Sequence, residues 1–294
     1  MQNETPQDET SAPFDKSRTF GLTRRGFAAL SVGAGAGVVS TAVAADAVQE
    51  SDVSIAMPDG TCDAAVFHPA GTGPWPGCLI VPDALGLRPA FRDMGRRLAA
   101  EGYTVLVPNP FYRTRKAPVL SGPFDFGNAD DRARLVPLMS PLTTEAKTRD
   151  ATAWLAYLDT VPRVRKTAPL GVSGYCMGGP YTLIAAAAAP DRVGAGGSFH
   201  GGGLVTDKPD SPHLLAPRIK AAFYFAIAAN DDQRQPDAKD RLGQAFFDKP
   251  VTIEVYAGCK HGWCVSDGAV YDKAEADRAF GQLTSLYRKA LTAG

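Results

Sequence analysis

The sequence predicts one α/β domain built on a mostly parallel, twisted sheet with helices on both faces. Short apolar runs alternate with helical patterns from about Val53 to the end of the chain. Several of these runs are continuously apolar, which is typical of parallel strands buried on both faces. No internal repeat or heptad pattern is present. In a sheet of this kind, active sites lie at the carboxyl ends of the strands.

The first half of the domain opens with a hairpin, because a Pro-Asp-Gly turn at 58–60 separates two short strands. Its strands are Val53–Met57 and Asp63–Phe67. A helix is predicted over Phe91–Gly102, where Met94, Leu98 and Ala99 share one face. The other elements predicted in this half are the strands Gly77–Val81 and Tyr103–Val107 and the helix Thr144–Thr160. The Pro-rich connection from Pro108 to about Pro141 has little periodicity and is predicted to be a small cap or active-site loop rather than a large cap domain.

The second half repeats the alternation of strand and helix. It begins with the apolar run 168–173, followed by a turn and a helix rich in alanine. The remaining predicted elements are the strands Val193–Phe199, Ile219–Ala228 and Val251–Tyr256 and the helices Asp237–Phe247 and Lys273–Leu291. Strands that alternate with helices predict a doubly wound, mostly parallel sheet in one domain.

Composition excludes several classes of protein. The chain has 294 residues, 45% of them hydrophobic, and a formal net charge of zero, so no basic surface for nucleic acid is predicted. Five cysteines are too few for a disulfide scaffold of this length. Cys62 with Cys78, or Cys259 with Cys264, could still pair outside the cytoplasm.

The N-terminus is predicted to be an export signal. Residues 1–20 are polar and read as disordered, and Arg24-Arg25 then stand in a twin-arginine motif before a weakly apolar run, Ala28–Val43. Cleavage is predicted near Ala44, giving regions 1–44 and 45–294. We therefore expect the twin-arginine machinery as a partner, a periplasmic or secreted product, and no stable membrane span after cleavage. An uncleaved anchor is the alternative.

The segment 174–179, Gly-Tyr-Cys-Met-Gly-Gly, has the pattern of a nucleophile elbow with Cys176 as the nucleophile. Glycines on both sides allow strained backbone that larger residues would obstruct. The N-terminus of the following helix favours a thiolate. A buried structural cysteine is the alternative interpretation.

The chain contains four histidines, of which two follow strands. His261, directly after the strand Val251–Tyr256, is the preferred base, and His200 is the rival. His68, at the end of the opening hairpin, is predicted to be structural or exposed, and His213 is predicted to have a role in a loop rather than in chemistry. The orienting acid should follow the strand before His261, where Asp231 and Asp232 are adjacent. We choose Asp232, because Asp232 and Pro236 have the spacing Asp-x-x-x-Pro.

Oxyanion stabilisation requires two N–H donors. The residue after the nucleophile, Met177, is one candidate, and Ala84 in the turn after the strand Gly77–Val81 is the other. Asp83 would then lie close to Cys176. No cofactor or metal is needed for this chemistry. Cys259, His261 and Cys264 offer zinc ligands as an alternative, but no fourth ligand is visible nearby.

Taken together, the elbow, the acid before Pro236 and the triplet His261-Gly262-Trp263 resemble the dienelactone hydrolase (carboxymethylenebutenolidase) family of cysteine α/β-hydrolases over residues 50–294. The resemblance implies a Cys176, Asp232 and His261 triad that cleaves a small ester or lactone through an acyl-thioester. It also implies the residue roles that follow. Asp83 would touch the resting Cys176, and substrate would contact Arg113, Tyr112 and Trp263. The position of the family's second substrate arginine holds Cys264-Val265 here. The alternatives are a non-catalytic binding protein of this fold, and a thioesterase or other acyl hydrolase.

Overall fold

The computed structural model describes residues 48–291, which contain eight strands arranged in one sheet. The strands are β1 (Val48–Met57), β2 (Gly60–Pro69), β3 (Gly77–Val81), β4 (Thr104–Pro108), β5 (Leu170–Tyr175), β6 (Val193–Phe199), β7 (Ala222–Ala228) and β8 (Val251–Tyr256). Their order across the sheet is β1-β2-β4-β3-β5-β6-β7-β8. β1, β2 and β4 pair antiparallel, and every pairing from β4 to β8 is parallel.

Seven α-helices cover the two faces of this sheet in the described residues. They are α1 (Pro89–Ala100), α2 (Ala129–Met139), α3 (Thr144–Thr160), α4 (Gly179–Ala188), α5 (Ala229–Arg234), α6 (Ala238–Ala245) and α7 (Lys273–Leu291). The apolar side chains of α1 and α7 form a core on one face, and those of α3, α4 and α6 form a second core on the other. The predicted mostly parallel sheet with helices on both faces is confirmed.

Strand β3 shows why its sequence is continuously apolar. Cys78 and Ile80 face the core under α1 and α7, whereas Leu79 and Val81 face the core under α3 and α4. All four side chains are buried, because successive residues of a strand point to opposite faces and here both faces are covered. The carboxyl ends of β3, β5, β6, β7 and β8 consequently meet at one edge of the sheet, where the candidate site lies.

Three elements differ from the sequence prediction. β7 begins at Ala222 rather than Ile219, because a 3₁₀ helix, Pro212–Arg218, precedes it. The short helix α5 follows β7, where no helix was predicted. The connection predicted between Pro108 and Pro141 contains α2, which includes Pro137. A proline inside a helix removes a main-chain donor, so this sequence does not have the usual pattern of a helix.

The predicted export signal, with Arg24, Arg25 and the cleavage position near Ala44, lies outside the described residues and stays a prediction. Within residues 48–291, no helix combines the length and the apolar character needed to cross a membrane.

Candidate active site

Cys176 stands at a sharp turn between β5 and α4, in left-handed backbone with φ of +53°. Very close packing surrounds this turn. A Cβ atom on Gly174 would lie 2.0 Å from the Gly178 carbonyl oxygen, and one on Gly178 would lie 2.3 Å from the Val81 carbonyl oxygen. Only glycine fits at these positions, since real Cβ atoms do not approach main chain so closely. The geometry is that of a nucleophile elbow, with a partly exposed cysteine at its apex.

His261 is the imidazole that reaches Cys176. It lies in the loop after β8, and its own N–H donates to the side-chain oxygen of Asn230 at 2.8 Å. Its Nδ1 donates to Asp231 Oδ2 at 2.6 Å, and its ring also hydrogen-bonds the Cys176 side chain, which leaves Nε2 for the sulfur. The structure therefore brings together a thiol, an imidazole and a carboxylate in the order that nucleophilic catalysis requires.

The carboxylate on His261 is Asp231, so the assignment of Asp232 is wrong. Asp232 instead accepts a hydrogen bond from Lys239 Nζ at 2.6 Å. The two aspartates lie in the first turn of α5, where successive side chains point about 100° apart, so only one of them can face His261. The Asp-x-x-x-Pro spacing did not reveal this helical turn.

The environment of His261 favours its protonated form. Burial of the ring lowers its affinity for a proton, but hydrogen bonds to Asp231 and Cys176 outweigh burial and raise the pKa of His261 to about 10. The imidazolium is therefore the dominant form of His261 at neutral pH. A proton held beside the sulfur stabilises a thiolate, the reactive form of cysteine.

His200, the rival base, lies under His261 rather than beside the sulfur. Its ring is 5.0 Å from the His261 ring, centroid to centroid, in an edge-to-face arrangement. The side chain is buried, and neither ring nitrogen has a hydrogen-bond partner among the described residues. Burial, and then the neighbouring His261, lower the pKa of His200 well below its usual value. His200 is consequently neutral and supports the His261 ring by packing.

The two predicted oxyanion donors lie in neighbouring turns. Met177 follows Cys176 at the N-terminal side of α4, and Ala84 follows β3. Their side chains pack in one buried cluster, which we call the elbow cluster. Its members are Ala84, Phe111, Val119, Leu138, Leu142 and Met177. Cys176 packs against the same cluster. Both N–H groups lie in turns at the carboxyl edge of the sheet, and their role in a shared oxyanion hole stays a prediction.

Asp83 is engaged elsewhere than at Cys176. Its two carboxylate oxygens accept from Arg88 Nη1 at 2.7 Å and Nη2 at 3.0 Å, and one also accepts from the Leu85 N–H. Arg88 in turn pairs with Asp267. The predicted contact between Asp83 and the resting cysteine is therefore replaced by an ion pair, because a bidentate arginine is a stronger partner than a thiol.

Arg113 and Tyr112 lie in a hydrogen-bonded network around a buried carboxylate. Arg113 donates to both oxygens of the fully buried Asp150, at 2.8 and 2.7 Å, and also to Asp59. The Tyr112 hydroxyl donates to Asp150 at 2.9 Å. Most donors of the Arg113 guanidinium are therefore used within the protein, to stabilise a buried carboxylate on α3. Contact of Arg113 and Tyr112 with substrate stays a prediction.

Trp263 was also expected to contact substrate, but its side chain is fully buried. Its ring packs on Tyr256, with centroids 4.8 Å apart, and on His200 at 5.1 Å. Trp263 is therefore wrong as a substrate contact, and it supports the layer of rings beneath His261.

The four cysteines other than Cys176 are buried free thiols, so neither pairing considered above is present in the structure. Burial raises the pKa of Cys62 to about 12 and also raises those of Cys78, Cys259 and Cys264. In residues 48–291 no three His, Cys, Asp or Glu side chains converge where a metal ion could be held. The zinc alternative therefore has no geometric support in this part of the chain.

Two groups of residues at the site were not predicted from the sequence. Asn230 fixes the His261 loop through its side-chain amide, and α2 places Leu135, Leu138 and Met139 in or against the elbow cluster. Asn230 immediately precedes the two aspartates, but nothing in the local sequence indicates a partner 31 residues away. The apolar residues of α2 have i, i+3, i+4 spacing, a signal that Pro137 obscured.

Comparison with known proteins gives consistent matches. The sequence model described as "Dienelactone hydrolase family" matches residues 62–291. A Methylorubrum extorquens protein named "Putative carboxymethylenebutenolidase" is 30% identical over 289 residues, which cover 91% of this chain and 93% of that protein. A carboxymethylenebutenolidase of Rhodococcus opacus is 29% identical over 202 residues, covering 67% of this chain and 73% of that one.

The same fold occurs in solved structures. The crystal structure of a Klebsiella pneumoniae protein named "Putative Dienelactone Hydrolase" superposes with a TM-score of 0.72 at 21% sequence identity. The match covers 83% of this chain and 100% of that one. At this level of identity, the superposition establishes the α/β-hydrolase fold.

Proposed function

Because the chain belongs to the dienelactone hydrolase family and is an ester or lactone hydrolase, we propose that it works through a Cys176, His261 and Asp231 triad and an acyl-thioester. One observation carries the proposal. The His261 imidazole is hydrogen-bonded to a carboxylate on one side and to the Cys176 side chain on the other. The family relationship argues against a non-catalytic binding protein.

In the acylation step, the Cys176 thiolate attacks the ester carbonyl carbon, and the carbonyl electron pair moves to oxygen. The N–H groups of Met177 and Ala84 would stabilise the oxyanion. Each such donor typically lowers the free energy of the transition state by roughly 3 kcal/mol. The tetrahedral intermediate then expels the alkoxide, which takes the proton from His261 Nε2 and leaves as an alcohol. Asp231 stabilises the imidazolium and holds Nε2 towards the reacting atoms.

In the deacylation step, neutral His261 removes a proton from a water molecule, and the hydroxide formed attacks the thioester carbonyl. Collapse of the second tetrahedral intermediate breaks the carbon–sulfur bond and releases the carboxylic acid. Cys176 returns to thiolate and His261 to imidazolium, which restores the resting pair. A thioester substrate would follow the same steps with a thiol as the leaving group, so a thioesterase is the second candidate function.

The experiment is turnover of a p-nitrophenyl ester combined with intact-mass spectrometry. Cys176→Ala should lower kcat by about 10⁴-fold or more, the loss typical of a missing nucleophile. Cys62→Ala, which removes a buried thiol far from the elbow, should keep kcat. His261→Asn should accumulate an enzyme that is heavier by one acyl group at Cys176, because deacylation then lacks its base.

The same protein should react with iodoacetamide near neutral pH at one thiol, Cys176, since burial raises the pKa of the other four. Turnover by Cys176→Ala at the wild-type rate would refute the proposed mechanism. An acyl group found on any other residue would refute it equally.

A further inference from the structure

We propose that this enzyme selects esters with an apolar, uncharged acyl group and disfavours esters whose acyl chain carries a carboxylate. The inference deepens the proposed function and rests on it. It concerns the surface on which an acyl group bound to Cys176 would lie.

The first support is the set of half-buried apolar side chains around the elbow cluster. The cluster itself is buried, and Cys176, Leu120 and, on α2, Leu135 and Met139 pack against it while remaining partly exposed. An acyl chain on Cys176 that extended over these exposed apolar atoms would bury methylene groups, each worth roughly 0.8 kcal/mol when removed from water.

The second support is that Arg88, which follows the predicted oxyanion turn, and Arg113, which follows β4, already pair with carboxylates. Arg113 is held by Asp150 and Asp59, and its side chain is only 12% exposed. Arg88, also 12% exposed, is shared between Asp83 and Asp267. Arg88 with Asp83 and Asp267 has a net negative charge, which repels a substrate carboxylate. Asp59 also pairs with Arg149, so the group formed with Arg113 has no net charge and does not attract one.

The remaining arginines of the connection from β4 to α3 donate mainly to main-chain carbonyls. Arg115 Nη1 donates to the Val119 oxygen at 3.0 Å, and Arg132 donates to the Phe126 and Gly127 oxygens. Arg134 donates to Ser121 and Pro123 and pairs with Asp131. These hydrogen bonds stabilise the conformation of the loop that precedes α2. Arg115 is exposed, and it is therefore tested directly below as an anion site.

A carboxylate placed against Leu120, Leu135 and Met139 would lose water next to apolar side chains, and Arg88 and Arg113 already pair with carboxylates. An unpaired charge in apolar surroundings is unstable, whereas a methyl group in the same place is stabilised. The selectivity can therefore be measured by comparing kcat/KM for two esters whose acyl chains are equally long, one ending in methyl and the other in carboxylate.

The test compares p-nitrophenyl valerate with mono-p-nitrophenyl glutarate, which share the leaving group and the number of acyl carbons. Rates are normalised to hydroxide-catalysed hydrolysis of each ester. We expect kcat/KM for the valerate ester to exceed that for the glutarate ester by about 100-fold or more. Equal values, or a preference for the glutarate ester, would overturn the proposal.

Two α2 variants test whether the side chains around the elbow cluster set the ratio of the two kcat/KM values. Met139→Arg places a cation against the elbow cluster and should shift the ratio at least about tenfold towards the glutarate ester. Val136→Arg adds the same charge on the exposed face of α2, where Val136 is 64% exposed, and should leave the ratio unchanged. Leu135→Lys repeats the first variant if circular dichroism shows that Met139→Arg is unfolded. An unchanged ratio in the folded Met139→Arg and Leu135→Lys variants would overturn the assignment of the surface.

The remaining outcomes separate this proposal from the one on which it rests. A glutarate preference that disappears in Arg115→Ala would identify Arg115 as an anion site and overturn the inference. Failure of both esters to acylate Cys176, measured by intact mass, would refute the proposed function itself and the inference with it. Acylation by valerate but not by glutarate, even with slow turnover, supports the inference.

Discussion

At the residue scale, adjacent side chains at this site have different roles because their partners differ. Asp231 accepts from His261, whereas its neighbour Asp232 accepts from Lys239 of α6. His261 and His200 likewise touch each other but have opposite pKa shifts, since His261 has two hydrogen-bond partners and His200 has none at its buried nitrogens. The type of residue alone does not decide its role.

The two aspartates give a matched pair of variants. Asp231→Asn should lower kcat by roughly 10³- to 10⁴-fold, because a neutral amide neither stabilises the imidazolium nor fixes its tautomer. Asp232→Asn should keep kcat, since a partly exposed ion pair contributes only about 0–1 kcal/mol to stability. Steady-state kinetics on one p-nitrophenyl ester measures both, with circular dichroism as the check of folding. The reverse pattern would restore Asp232 as the acid.

At the element scale, the junction of β5 and α4 holds the nucleophile through main-chain packing. The carbonyl of Gly178 approaches Gly174, and the end of β3 approaches Gly178, so strand, turn and helix leave no room for added atoms. The positive φ of Cys176 is maintained by this packing, as strained backbone at functional sites generally is. The segment from Pro108 to Pro141, predicted to be a cap or active-site loop, contributes α2 to the same junction.

Glycine substitutions test the junction. Gly174→Ala should lower the free energy of unfolding by more than about 3 kcal/mol, because its Cβ would overlap main-chain atoms that cannot move independently. Gly281→Ala is the control. It lies in α7 with nothing within 4 Å of an added Cβ, and should stabilise the protein by about 0.5–1 kcal/mol through helix propensity. Urea denaturation followed by circular dichroism measures both. Equal midpoints for wild type and Gly174→Ala would contradict the described elbow.

At the scale of the whole molecule, stability should depend on pH through His261 and His200, whose rings meet edge to face. Because the folded pKa of His261 is raised to about 10, its contribution is complete below about pH 6.5 and is lost as pH rises towards 10. The pKa of His200 is lowered, so His200 stays neutral in the folded protein but takes up a proton in the unfolded chain below about pH 6.5. The free energy of unfolding should therefore decrease as pH falls below about 6.5.

Urea denaturation at pH 5, 7 and 9 measures these two effects as differences between wild type and variant. The advantage of wild type over His261→Gln should shrink from pH 7 to 9. The advantage of wild type over His200→Asn should shrink from pH 7 to 5, and asparagine is chosen because it tolerates the positive φ of 39° at this position. A difference that stays constant with pH in either variant would contradict the corresponding pKa shift.

The sequence by itself determined the alternating strands and helices, the cysteine elbow and the position of His261, because these depend on residues near one another in the chain. Hydrophobic periodicity and glycine spacing are local signals. The sequence did not predict α2, because Pro137 interrupts its helical pattern.

Only the tertiary structure decided which side chains meet. Asp231 was selected over Asp232 by the direction of one helical turn towards His261, 30 residues later. Arg113 pairs with Asp150, 37 residues away on α3. Asp83 pairs with Arg88, which also binds Asp267. Charged side chains are long and pair with whichever opposite charge the folded chain brings within reach, so their partners cannot be read from neighbouring sequence.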